Sequence, residues 1–278
     1  MTRKLKYAMV KNPIFGNIIL YVFRAKKAFG YFFTPLPNLL SWLFKSKETT
    51  NFTYELTVNN ERYLAFLTAD VTGKPYEEIM HYIREIKEDT KLKEHIKDTT
   101  KKSDYAFIAD AEARFGRRVG WYAFVRATKP KIVVETGVDK GLGSCVLTSA
   151  LMKNKEEGYE GYYYGTDINP KAGYLLSGDY KGFGEILYGD SIESLNNLNR
   201  TIDIFINDSD HSPDYEAKEY EVVADKLATS GIILGDNSHV TDKLFEFALA
   251  TNRHFIFFQE KPLKHWYPGA GIGIAFRR

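Results

Sequence analysis

From Lys131 to the C-terminus, seven short apolar runs alternate with helical intervals, and this alternation restricts the fold more than any other feature of the chain. The runs are 131–136, 161–166, 184–188, 202–207, 231–236, 254–260 and 271–276, with helices predicted at 142–154, 170–179, 191–198, 213–228 and 239–251. Continuous apolar runs of this length suit strands buried on both faces, and parallel strands require crossover connections of one hand. Five strand–helix units followed by two strands joined without a helix predict an α/β fold. Its sheet has seven strands and is mostly parallel, with one antiparallel strand and helices on both faces.

The first run, KIVVETGVDKGLGS, ends in Glu135 and opens through Gly137, Gly141 and Gly143 into Ser144 and a helix. A bend without Cβ atoms admits a ligand close to the backbone, and the free N–H groups of the helix start can receive polar groups. The spacing is G-x-x-x-G-x-G, unlike the G-x-G-x-x-G of a dinucleotide site. In an open parallel sheet, ligands bind beyond the carboxyl ends of the strands. Acids fall at those ends: Glu135, Asp167, Asp190, Asp208 and Asp236. Each alone is explicable as an N-cap, Asp190 before SIESL most readily. Five together would repel one another unless they served bound polar groups or a cation.

Composition supplies a core: 44% of the 278 residues are hydrophobic and 27% charged. The lone Cys145 excludes an intrachain disulfide and a cysteine-rich zinc site, and reads as a small packing residue in a reducing, cytoplasmic setting. The net charge of +2 conceals an asymmetry. Residues 1–47 hold nine Lys and Arg, ten aromatics and no Asp or Glu, and the rest of the chain is net acidic. The longest apolar window there, Ile14 to Phe23, is too short to cross a bilayer core about 30 Å thick. No small-residue cleavage site follows it, which argues against a secretory signal. Two readings stand for residues 1–47: a peripheral anchor at the inner face of a membrane, or a helical pair packed on the body or on a second subunit in a homo-oligomer.

Three regions are therefore expected: 1–47, a basic aromatic N-terminal helical extension; 48–128, a helical lid or substrate region; and 129–278, the α/β domain. Residues 48–74 read as a linker with a short helix, and 75–97 as one or two amphipathic helices with Ile79, Tyr82, Ile83 and Ile86 on one face. Asp104 to Thr128 reads as one long helix whose Arg114, Arg117 and Arg118 form a solvated face or meet an anionic substrate.

With these motifs in place, residues 131–277 resemble the class I S-adenosylmethionine-dependent methyltransferases, whose Rossmann-like sheet has this strand pattern. The resemblance implies a cofactor site for S-adenosyl-L-methionine. Gly137, Gly141, Gly143 and Ser144 would pass under the methionine moiety beside Glu135, Asp167 in YGTDINP would bind the ribose hydroxyls, and Asp190 and Ser191 would flank the adenine, with Asp208 at the same mouth. The family's usual E-x-G-x-G-x-G is lengthened here by Val138, Asp139 and Lys140, as in small-molecule O-methyltransferases and sugar-modifying relatives.

The stretches DIFINDSDHSPDYEA and GIILGDNSH are similar to the metal-dependent, catechol-type O-methyltransferases. By that resemblance Asp208, Asp236 and Asn237 would ligate Mg²⁺, a hard cation suited to oxygen donors. His211 stands where catechol-type enzymes keep a lysine base, which points to a sugar, glycolipid or small-metabolite hydroxyl; His211 or Asp208 would take its proton, with Asp210 as an alternative. His239, Trp121, Tyr122, Trp266 and Tyr267 could line the acceptor, though His239 and His265 read first as surface or packing residues and the aromatics as core. Rim acids would repel a polyanion, which weighs against nucleic acid as a partner. The competing readings are a nicotinamide oxidoreductase and a non-catalytic cofactor-binding scaffold at a membrane.

Overall fold

A computed structural model of the chain describes residues 10–11, 13–14, 16–236 and 238–278. The chain divides into two compact units, residues 1–46 with 264–267, and residues 47–263 with 268–278. The first contains α1 (Gly16–Phe33) and α2 (Leu36–Lys45). No helix among the described residues is long and apolar enough to cross a membrane.

The second unit holds the sheet. Its strands are β1 (Ile132–Thr136), β2 (Tyr162–Asp167), β3 (Gly184–Tyr188), β4 (Ile202–Asn207), β5 (Leu227–Gly235), β6 (His254–Gln259) and β7 (Gly271–Phe276). They lie in the order β3-β2-β1-β4-β5-β7-β6, with β7 antiparallel to both neighbours and the other pairs parallel. The predicted sheet is thus the observed one. One layer of core joins Val134, Phe205, Ile233 and Ala275 of the sheet to Tyr220, Val223, Leu244 and Ala248. The last four come from α9 (Pro213–Ala224) and α10 (Lys243–Ala250). On α7 (Leu142–Glu156), every residue from Gly143 to Leu151 is buried, so this helix lies inside the unit rather than on its surface.

Four local expectations are corrected. Residues 48–74 are not mainly linker: α3 (Val58–Thr72) starts at Thr57, whose hydroxyl accepts from the Asn60 N–H, and stops at Gly73 in the left-handed region. Leu64 of α3 is fully buried. The predicted pair of amphipathic helices forms as α4 (Tyr76–Glu88) and α5 (Thr90–Lys102), with Ile79, Tyr82, Ile83 and Ile86 buried. The long helix expected over 104–128 shrinks to α6 (Arg118–Thr128). Gly116 breaks it at φ +52°, where a Cβ would crowd the Tyr54 carbonyl at 3.2 Å.

The helix expected at 170–179 is absent. Gly173 (φ +72°) and Gly178 (φ +57°) interrupt it, and the chain instead makes turns followed by a 3₁₀ helix at Gly178–Phe183. This segment folds over the glycine bend, because the Gly173 N–H donates to the Asp139 carbonyl at 2.6 Å and the Leu175 N–H to that of Lys140 at 3.1 Å. Finally, α9 ends at Ala224 rather than 228, and β5 begins four residues earlier than expected. Between them Lys226 donates to the carbonyls of Leu195, Asn196 and Leu198, tying this corner to the end of α8 (Ser191–Asn197).

Candidate active site

The backbone itself gathers the rim. Past the last ladder pairs, the Gly137 N–H donates to Thr166 (2.9 Å), the Gly189 N–H to Asp167 (2.9 Å), the Asp208 N–H to Thr136 (3.0 Å) and the Asp236 N–H to Asn207 (2.9 Å). Each bond runs from the first residues beyond one strand to the end of its neighbour. The glycine bend and the acids Asp167, Asp208 and Asp236 are therefore held at one edge, at the carboxyl ends of β1, β2, β4 and β5.

Gly137 (φ +77°) is pressed so close to the β4 loop that a Cβ would fall 2.1 Å from the Asp208 carbonyl oxygen. Gly141 (φ +89°) begins α7, where an added Cβ would fall 2.9 Å from the Gly173 Cα. Gly143 leaves room for Glu135, whose Oε1 would stand 2.0 Å from an added Cβ. Glu135 is buried and accepts from the Tyr163 hydroxyl at 2.5 Å, which is also 2.8 Å from the Ser144 hydroxyl. Burial pushes the Glu135 carboxyl up to about 7 against the opposing pull of that hydrogen bond. Glu135 and Ser144 thus form the floor beneath the bend. Asp167 stands at its side: Oδ2 accepts the Asp139 N–H at 3.0 Å and Oδ1 the Asn169 N–H at 2.8 Å, which fixes the carboxylate at the end of β2.

Asp190 caps α8, accepting from the Glu193 N–H at 2.9 Å and from the Tyr215 hydroxyl at 2.9 Å. Ser191 turns inward to Glu219, a residue that the sequence reading passed over. Glu219 lies on the buried face of α9 and accepts from Thr136 at the end of β1 (3.2 Å), from Asn207 at the end of β4, and from Ser209 (2.8 Å). Burial pushes its carboxyl up to about 7. Its signal was in the sequence: Glu216, Glu219, Tyr220 and Val223 share one helical face, and two acids on an otherwise apolar face need partners.

The expected metal ligands have a different occupant. Arg117, buried at the start of α6, forks onto Asp236, with Nη2 2.5 Å from Oδ2 and Nε on Oδ1. The same guanidinium lies 3.6 Å from Asp208 and 3.6 Å from the buried Glu260, and Arg118 is 4.0 Å from Asp208. Burial alone would pull the Arg117 guanidinium down, but Asp236, Glu260 and Asp208 hold it above its ordinary value. Asp208 is pushed well above the carboxylate range by burial first and then by the charge of Asp236. Asn237 lies outside the described residues, and among those described no group of three His, Cys, Asp or Glu could hold a metal ion. Asp208 and Asp236 thus do not fit an open Mg²⁺ site, because a guanidinium already takes their lone pairs.

His211 and Asp210 are exposed on the loop after β4, and His239 is exposed after β5. Trp121 and Tyr122 are buried completely and serve as core rather than as an acceptor wall; both Arg117 and Arg118 lie over the Trp121 ring, at 5.5 and 5.2 Å. His265, Trp266 and Tyr267 belong to the first unit. Cys145 is buried with its thiol against the Leu175 carbonyl, and burial pushes that thiol up, so it is a packing residue.

Residues 134–238 match the family model described as a methyltransferase domain. The O-methyltransferase TomG from Streptomyces achromogenes, involved in tomaymycin synthesis and solved in complex with SAM, is similar at a TM-score of 0.50 and 13% identity, over 68% of this chain and 90% of that one. The SAH-bound methyltransferase PaMTH1 from Podospora anserina gives a TM-score of 0.48 at 17% identity, over 67% of this chain and 87% of its own. No curated protein matches the chain. The matched segment starts inside β1 and ends just past Asp236, so it spans the whole stitched rim. Over residues 134–238 the chain is therefore similar to a methyltransferase domain, and the sheet that holds those residues has the Rossmann-like methyltransferase fold.

Proposed function

We propose that the protein transfers a methyl group from S-adenosyl-L-methionine to a hydroxyl of a sugar, glycolipid or small metabolite. The observation that carries this reading is the pinned Asp167 carboxylate beside the glycine bend. An acceptor-only group fixed by two backbone N–H bonds needs no reorganisation to meet a pair of ribose hydroxyls. Asp190 and Ser191, on the adjacent corner, would border the adenine.

The sulfonium of the bound donor supplies an activated methyl, so the chain's own task is to align an acceptor oxygen and take its proton. Two groups on the β4 loop suit that role. Asp208 is held at the rim by Arg117 and Arg118, and its raised affinity for a proton fits a general base. His211, three residues on, is exposed to an incoming acceptor. No step of this proposal passes through Mg²⁺, because Arg117 supplies the positive charge between Asp208 and Asp236.

Calorimetric titration tests the reading. S-adenosyl-L-methionine should bind, NAD should not, and Asp167→Ala should lower donor affinity at least tenfold. His211→Ala should keep that affinity and reduce turnover. Binding of NAD in place of the sulfonium donor, or full donor affinity in Asp167→Ala, would overturn the proposal.

A further inference from the structure

The first unit displays apolar surface that its own packing leaves uncovered. None of the described residues from 10 to 46 is a buried hydrophobic. Yet thirteen of the twenty-five exposed large hydrophobic side chains among the described residues fall between 14 and 44.

Their spacing is regular. On α1, Ile19, Leu20 and Phe23 lie on one side and are half-buried. Ile18, Val22, Phe29 and Phe33 share the other side at intervals of four or seven residues, and each is 58–60% exposed. On α2, Leu36, Leu39, Leu40 and Leu43 form a second exposed ridge, while Trp42 packs on the His265 and Trp266 rings. Phe44 at the end of α2 and Tyr31 near the end of α1 are each 81% exposed. Arg24, Lys26, Lys27 and Lys45 stand exposed among these groups. With nine Lys and Arg and no acid in residues 1–47, the surface is both greasy and uniformly cationic.

We propose that this helical pair docks on an anionic lipid surface, lying in the interface with its aromatic and leucine ridges at the acyl boundary. A protein partner of ordinary composition would offer no reason for a complete lack of acids. A second copy of the same surface would bring like charges together. An anionic bilayer satisfies both features: apolar burial drives insertion, and each Lys or Arg near the surface adds about a fivefold gain in partitioning, equivalent to about 1 kcal/mol. α1 carries three cations and cannot span the membrane, which leaves it in the plane of the interface. The inference is independent of the methyl donor and acceptor.

The test is co-sedimentation of the full chain with vesicles of phosphatidylglycerol and phosphatidylcholine, and with phosphatidylcholine alone. The protein should partition at least tenfold more strongly onto the anionic vesicles. Phe29→Ser/Phe32→Ser/Phe33→Ser and Arg24→Gln/Lys26→Gln/Lys27→Gln should each weaken binding, the second by about 100-fold at low salt. Unchanged thermal melting of both variants checks that they fold, since all six side chains are exposed. Equal sedimentation of the wild type and the triple-Ser variant would overturn the proposal. So would a wild type that ignores every vesicle but forms a dimer that the triple-Ser variant cannot form, because a second copy would then cover the ridge.

Discussion

Gly143→Ala should destabilise the protein, against the expectation from helix propensity. In an ordinary helix this change gains up to about 1 kcal/mol. Here the new methyl would sit 2.0 Å from Glu135 Oε1, 2.9 Å from its Cδ and 3.0 Å from Oε2. Normal contact is about 3.5 Å, so the carboxylate must retreat by about 1.5 Å. It has nowhere to go, because Oε2 holds the Tyr163 hydroxyl, which Ser144 holds in turn, and all three residues are buried. Overpacking costs about 1–3 kcal/mol, and a stretched hydrogen bond to a charged acceptor about 1.5–3 kcal/mol more. A net loss of about 3 kcal/mol is expected in urea denaturation, with a parallel loss of donor affinity because the bend rides on this floor. Glu135→Asp shortens the acid by one methylene and withdraws it from the new methyl. The double variant should therefore be more stable than the sum of the two singles predicts, by about 1–2 kcal/mol. Additive effects, or a neutral Gly143→Ala, would refute the claim that Glu135 and Gly143 form one packed unit.

Further outcomes follow from the buried acids. Glu219 rises from 4.5 to about 7 on folding, so between those values the native state binds more protons than the unfolded chain and stability falls as pH rises. This stabilisation amounts to about 3 kcal/mol, fully present below pH 4.5 and lost above pH 7. Glu219→Gln should flatten the pH dependence of the urea midpoint across that window; an unaltered slope would show that Glu219 is not its source. Arg117→Met should destabilise by about 3–5 kcal/mol at pH 7, since it strands Asp208, Asp236 and Glu260 without their guanidinium. The loss should shrink as acid protonates those carboxylates; a deficit independent of pH would point to lost packing instead. Because Arg117 fills the cation's place, EDTA should leave turnover unchanged, and a metal-restored activity would show that Asp208 and Asp236 open to a cation during the reaction.

The strands could be read from the sequence because burial on both faces imposes a local code. The bounds of β3, β4 and β7 are the predicted ones. Helices fared worse wherever a glycine served a contact far away in sequence. Gly116 looks like a tolerable interruption until Tyr54 is found against it, and Gly173 until the glycine bend is found beneath it. The rim acids could likewise be placed by position alone, since the residue after each parallel strand must emerge at the same edge. Their partners could not. Asp190 is an N-cap, whereas Asp208 and Asp236 share a guanidinium delivered from a helix that starts at Arg118.

The sequence alone determined the layering of the sheet, the place where the chain bends through glycines, and the charge and aromatic content of the first 47 residues, because periodicity and composition are local properties. Only the tertiary structure decided that Arg117 lies between the two acids expected to hold a cation, and that Glu219 ties the ends of β1 and β4 together. A carboxylate accepts a metal ion, a guanidinium or a hydroxyl with the same lone pairs. Which of them it meets depends on long-range packing, here across 119 positions between Arg117 and Asp236, and no local pattern records that distance.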